Sequence, residues 1–249
     1  MMVFHHRQRN ISQLKLNLSI NGVIIEEVSE FNFLGIMLDK NLSWNSHAQK
    51  IASMISIVNG ILCRLKRFVP SDVLQTIYNA LIQPLINYGI LLWGKNTKRV
   101  LKLQKWAVRS MTCSKYNAHT DPLFINLKLL KVDDIYKLSA LKFYFKYNKD
   151  ILPNYFNGMF DPLYLSHQYD TRHREEPVVA IPNTEAANKS IRYALPKLVS
   201  NTSSSVTEKI ATHPFTGLSN YAKQYYISQY KPTCEITNCW VCRSSSSSV

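Results

Sequence analysis

The chain has 249 residues, 46% apolar and 18% charged, with 30 Lys and Arg against 16 Asp and Glu for a formal charge of +14. This composition excludes a disordered polymer and allows one large or two small globular units. The most apolar window, residues 81–93, falls short of the ~20 residues a membrane span requires, and seven scattered glycines exclude a phosphate-cradling GxGxxG or GxxxxGK loop.

In chain order, Leu14, Leu16, Leu18 and Ile20 alternate with polar residues, and Asn21-Gly22 follows, the dipeptide of a type I′ turn. A hairpin over 14–28 is predicted, then a third strand over 31–38 with Gly35 marking a bend. From 46 to 68 the period becomes helical, with apolar residues at 51, 54, 55, 58, 61, 62 and 65. Ser71 is the expected N-cap of the next helix. Pro84 must kink that helix or start another, and Gly94 ends the apolar piece 84–93. Helices are predicted over 97–111, 122–130 and 132–147, with Thr120 or Asp121 capping the second. Beyond 150, Pro, Ser, Thr and Asn accumulate, and the tail 151–249 reads as loosely structured with one short helix at 217–229. The predicted fold is therefore α+β and mostly helical. It has a β segment over 1–39, a helical region over 40–150, and a Pro- and Ser-rich tail over 151–249.

The charge is concentrated. Residues 40–120 hold twelve basic residues and a single acid, Asp72, and so supply +11 of the +14. Such a stretch predicts a polyanionic partner. Helix 97–111 carries Lys98, Lys102, Lys105 and Arg109 at i, i+4, i+7 and i+11, one continuous stripe. The helix before it ends in Arg64, Lys66 and Arg67, cations that its C-terminal dipole also favours. These seven are the candidate contacts to RNA, DNA or an RNA–DNA duplex. They would grip phosphates without reading bases. The alternative is an ordinary solvated helix face. An anionic membrane surface is the disfavoured partner, because no aromatic face accompanies the stripe.

The blocks FNFLGIMLDKNLSW (31–44), GILCRLKRFVP (60–70), IYNALIQPLINYGILLWG (77–94), LQKWAVRSM (103–111) and HTDPLF (119–124) resemble, in order and spacing, the region after the active site in jockey-type reverse transcriptases of non-LTR retrotransposons. The resemblance implies that Phe33-Leu34-Gly35 belongs to a palm edge. It also implies that the helices after it form a thumb holding template–primer, with Leu103-Gln104-Lys105 matching a thumb-helix motif. Trp106 departs from that motif, where Arg is frequent. In this family the Mg²⁺-binding carboxylates lie upstream, in a strand and a Tyr-x-Asp-Asp hairpin. The chain starts after the point where they would fall, so it is expected to be the back part of a longer polymerase, inactive alone, with the palm as a missing partner. The second reading is a repurposed, non-enzymatic nucleic-acid-binding protein.

No catalytic residue is assigned. Asp133-Asp134 opens a helix on the wrong side of the FLG block and reads as first-turn acids complementing the dipole. His47, three residues after Trp44, reads as a packing or capping residue. The tryptophans offer base-stacking surfaces, but most fall at core-like positions. No metal site is assigned. Cys234, Cys239 and Cys242 are spaced C-x4-C-x2-C, either as zinc ligands short of the four that a closed site needs or as free tail thiols. Cys63 and Cys113 are isolated, so no disulfide framework is expected, and the compartment is a reducing one, nucleus or cytoplasm.

Overall fold

A computed structural model of the chain describes residues 1–4, 18–160, 177–179, 181–202, 206 and 214–233. The fold is α+β and mostly helical, as predicted. Strands β1 (Ser19–Ile20) and β2 (Val23–Ile24) pair antiparallel across Asn21 (φ 51°) and Gly22 (φ 79°), the two positive values a type I′ turn needs. The earlier part of that hairpin, with Leu14 and Leu16, lies outside the described residues.

The predicted single strand over 31–38 is instead a second hairpin. Strand β3 (Glu30–Phe33) pairs with β4 (Ile36–Asp39) across Leu34 (φ 48°) and Gly35 (φ 84°). A left-handed leucine costs roughly 1–2 kcal/mol, and a tertiary bond opposes that cost: the Tyr88 hydroxyl donates to the Leu34 carbonyl. β4 turns Ile36 and Asp39 inward. The buried Asp39 carboxylate then accepts the backbone N–H groups of Asn41 (3.1 Å), Ser43 (3.0 Å) and Trp44 (2.9 Å), which fixes the entry into the first helix.

Helix α1 (Asn45–Leu65) buries Ile51, Ile55, Val58 and Leu62, while Met54, Ile57 and Ile61 stay exposed. Pro70 occupies the N-cap position of α2 (Ser71–Ile77), so Ser71 is the first helical residue rather than the cap. The break expected at Pro84 is absorbed by a π-helical turn, Tyr78–Ile82, leading into α3 (Gln83–Asn87). The Gln83 N–H reaches five residues back to the Tyr78 carbonyl, and this wider winding accommodates a proline that has no N–H to donate. Gly89, at φ 60°, starts the short α4 (Ile90–Trp93). Gly94 ends it, and a Cβ there would lie 2.4 Å from both the Ile90 carbonyl oxygen and Tyr136 Cδ2.

Helix α5 (Lys98–Met111) lies beside α1 and runs in the same direction. Gln49 meets Arg99, Asn59 Nδ2 donates to the Leu103 carbonyl (2.9 Å), and Cys63 Sγ meets Ser110 Oγ (3.2 Å). α6 (Asp121–Asn126) and α7 (Val132–Asn148) follow. Thr120 sits at the N-cap of α6, but neither it nor Asp121 makes a side-chain cap bond; Asp121 pairs with Lys131 at 2.8 Å instead.

The expectation of a loosely structured tail with one helix is narrowed. Helices α8 (Glu185–Lys189), α9 (Ile191–Ser200) and α10 (Phe215–Ser228) belong to the described tail residues. Leu195, Val199, Leu218 and Ala222 join the same buried cluster as Leu141, Phe145 and the α1–α5 core. Helices α9 and α10 thus cover α7 and extend the bundle.

Candidate nucleic-acid interface

The stripe of α5 follows from its buried face. Val100, Gln104, Ala107, Val108 and Met111 point inward, which turns 98, 102, 105 and 109 to the opposite side. Lys98 and Lys102 are exposed, and Lys105 and Arg109 are half-buried. Between Lys98 and Arg109 the helix rises about 16 Å, so the four cations form a rigid row.

Gln104 sets the rotation of that row. Its side chain is fully buried and is held at three points. Nε2 donates to the Tyr78 hydroxyl and to the Leu130 carbonyl, both at 2.8 Å, and Oε1 accepts the Val132 N–H at 2.9 Å. One amide thereby ties α5 to the π turn, to the 127–131 segment and to an otherwise unpaired N–H in the first turn of α7. Burial pushes the Tyr78 phenol up to about 12, with the Gln104 hydrogen bond opposing the shift.

The structure separates the seven predicted cations. Arg64 and Arg67 are exposed at the C-terminal end of α1, and Lys66 is half-buried there. Because α1 and α5 are parallel, this cluster lies beside the C-terminal end of α5, where Cys113 Sγ approaches the Lys66 carbonyl at 3.9 Å. Arg109 is partly consumed: its Nε donates to the Ala118 carbonyl at 2.9 Å. Burial lowers its pKa, yet a guanidinium starts so far above neutrality that it stays charged.

Three residues absent from the sequence-based set stand at the other end of the row. Lys50 of α1, Lys95 after α4, and Arg99 of α5 line one open groove with Lys98, also bordered by Glu30 and Asn96. Arg99 sits off the strict stripe, and Lys50 stands near the start of α1, far from the Arg64 cluster at its end, so neither belongs to a periodic pattern. The core-like reading holds for Trp93 and for Trp44, which packs against the core, and Trp106 is the exception among the described tryptophans. Trp93 is fully buried, but Trp106 is 42% exposed, on the flank of the stripe that faces α1.

A match in sequence now accompanies this geometry. Over 141 residues the chain is 26% identical to a probable RNA-directed DNA polymerase from transposon BS of Drosophila melanogaster, covering 51% of this chain and 15% of that protein. Part of this chain is related to a transposon reverse transcriptase. A 75-residue stretch is 31% identical to the uncharacterized protein B0403.1 of Caenorhabditis elegans, covering 30% of this chain and 38% of that one. The chain thus spans well under half the length of either relative. No protein-family model and no solved structure matches it.

The acidic pair has structural partners. The Thr97 hydroxyl donates to Asp133. Asp134 is buried and accepts from the Tyr230 hydroxyl (2.7 Å) and from Lys137 Nζ (2.8 Å). His47 packs as expected: it is buried, edge-on to Trp93 at 5.7 Å, and its Nδ1 accepts the Met37 N–H at 3.3 Å. Burial, then the nearby Lys50 charge, lowers its pKa, so at neutral pH it acts as an acceptor. Among the described residues, no three His, Cys, Asp or Glu side chains come together as a metal site. Cys234, Cys239 and Cys242 lie outside those residues. No helix among them is long and apolar enough to cross a membrane.

Proposed function

We propose that this chain is the thumb-like part of a retrotransposon-derived reverse transcriptase and that it binds template–primer duplex through the exposed edge of α5 and the adjoining end of α1. One observation carries the reading: Lys98, Lys102 and Lys105 share one face of a helix whose rotation is locked by Gln104, with Arg99 beside them and Arg64 and Arg67 at the neighbouring helix end. A row of cations on a rigid helix attracts the phosphate backbone and releases its counterions. Nothing in such a row reads base identity, so the contact fixes register and orientation alone. The exposed indole of Trp106 adds a flat apolar surface beside the row, suited to an unpaired base at a strand end.

Polymerisation needs carboxylates that hold two Mg²⁺ ions at the reacting phosphate. Asp133 and Asp134 are already engaged by Thr97, Tyr230 and Lys137, so the proposed role of this chain is binding. Magnesium chemistry would belong to a palm carried by another part of the polymerase.

Duplex binding measured across a salt series tests the reading. Six contacts, from Arg64, Arg67, Lys98, Arg99, Lys102 and Lys105, predict that log K falls with log salt at a slope of about −5. Replacing Lys98, Lys102 and Lys105 together by Gln should flatten the slope by about 3. An unchanged slope, or tighter binding to anionic vesicles than to RNA–DNA duplex, would overturn the assignment.

A further inference from the structure

At the C-terminal end of α5 the basic row runs into a cavity of about 350 Å³. Its walls come from three separate stretches of chain. Lys105 and Arg109 project from α5, Asn117 to Pro122 form the turn into α6, and Lys231 and Thr233 follow α10. Among the described residues the lining holds the cations Lys105, Arg109 and Lys231, together with His119 and the hydroxyls of Thr120 and Thr233. Among the described lining residues the carboxylate is Asp121, which is paired with Lys131 at 2.8 Å.

The walls are held firmly. The Arg109 Nε bond to the Ala118 carbonyl fixes the guanidinium against the turn. Tyr230, adjacent to Lys231, is anchored on three sides. Its hydroxyl donates to Asp134 (2.7 Å) and accepts the Lys131 N–H (2.9 Å), and its ring lies under Lys131 Nζ at 4.2 Å. Phe124 of α6 meets the same ring edge-on, at 6.2 Å between centroids. Lys231 therefore enters the cavity from a segment locked to α6 and α7.

From these features we infer that the cavity binds a phosphate monoester. An internal phosphodiester carries one charge and chain on both sides, which suits the open face of α5. A phosphate monoester carries close to two charges at neutral pH, because its second pKa is about 6. It also has only one ester link, so it can enter a recess walled on three sides and meet several cations at once. A strand carrying a terminal phosphate and a free nucleoside monophosphate share this chemistry. The strand end rests on the nucleic-acid reading above, and the free monoester does not.

The full chain is tested by fluorescence anisotropy at fixed salt, against one duplex made with 5′-phosphate ends and with 5′-hydroxyl ends. The expected result is five- to tenfold tighter binding of the phosphorylated duplex. Lys231→Gln should reduce that ratio below twofold while leaving the hydroxyl duplex within twofold of wild type, and Lys231→Arg should retain it. Lys98→Gln with Lys102→Gln should weaken both duplexes and leave the ratio intact. Adenosine 5′-monophosphate should compete away the phosphate-dependent increment alone. Equal binding of the two duplexes overturns the cavity assignment and leaves the duplex reading standing. If neither duplex binds, but ³¹P NMR shows adenosine 5′-monophosphate binding that Lys231→Gln abolishes, the cavity stands with a free monoester as its ligand and the duplex reading falls. No binding in any arm removes both.

Discussion

Replacing Gln104 by Leu should cost this fold about 3–6 kcal/mol, as much as many whole domains can spare. Leucine is close to glutamine in size, so the substitution opens little space; its effect lies in hydrogen bonding. Three groups lose their partner: the Tyr78 hydroxyl, the Leu130 carbonyl and the Val132 N–H. A buried polar group left unsatisfied costs roughly 1–3 kcal/mol, and Tyr78 and Val132 are both fully buried. Taking the lower half of that range for each gives the stated total. Urea unfolding followed by circular dichroism at 222 nm reads it as a lowered midpoint with an unchanged m-value. Gln83→Leu, at a solvent-facing glutamine bonded to Asn87 within the same helix, is the control and should shift stability by less than ~0.5 kcal/mol. A loss below ~1 kcal/mol for Gln104→Leu would refute the view that this amide organises the bundle.

Two further outcomes follow from burial. Tyr78 and Tyr136 are both raised to about 12 because burial penalises the phenolate. A folded-state value above the unfolded one means stability that is fully present below pH 10 and lost as pH rises from 10 towards 12. At ~1.4 kcal/mol per pH unit, Tyr78 alone contributes roughly 2–3 kcal/mol. The urea midpoint should therefore drop steeply across that window, and a flat profile would contradict a neutral, buried Tyr78. Leu195→Ala, at a fully buried position of α9, should cost about 2–4 kcal/mol in the same single transition as the core. A loss under ~0.5 kcal/mol, or proteolytic trimming of the tail back to residue 150 without loss of stability, would show that α9 does not belong to the bundle.

What the sequence made legible was local. Asn21-Gly22 announces its turn because the chemistry of the turn is contained in two residues. The α5 stripe is legible because a 3.6-residue period needs only one helix to express it. Leu34-Gly35 reads as strand in the sequence because leucine is rarely left-handed, and the Tyr88 bond that accompanies the turn comes from 54 residues away. The tail helix α9 was hidden by Pro196 in its interior, a residue that argues against helix unless packing compensates. Likewise, no periodicity joins Lys231 to Lys105. They share a cavity only because Tyr230 docks against α6 and α7, and tertiary docking has no signature in either segment.

The distances along the chain that these contacts close differ widely, and so does the point in synthesis at which each can form. Gln104 reaches its Tyr78 and Leu130 partners across 26 residues in each direction; the Tyr230–Asp134 bond closes 96. Chain emerges from the ribosome N-terminal end first, so α1 to α7 can assemble while Tyr230 is still being made. Through that interval Asp134 sits at the edge of a growing core with Lys137 as partner and without the phenol that later covers it. Docking of α10 seals that carboxylate and, in the same motion, delivers Lys231 to the end of α5. The basic recess therefore cannot be complete before Tyr230 has been made and has docked against α6 and α7.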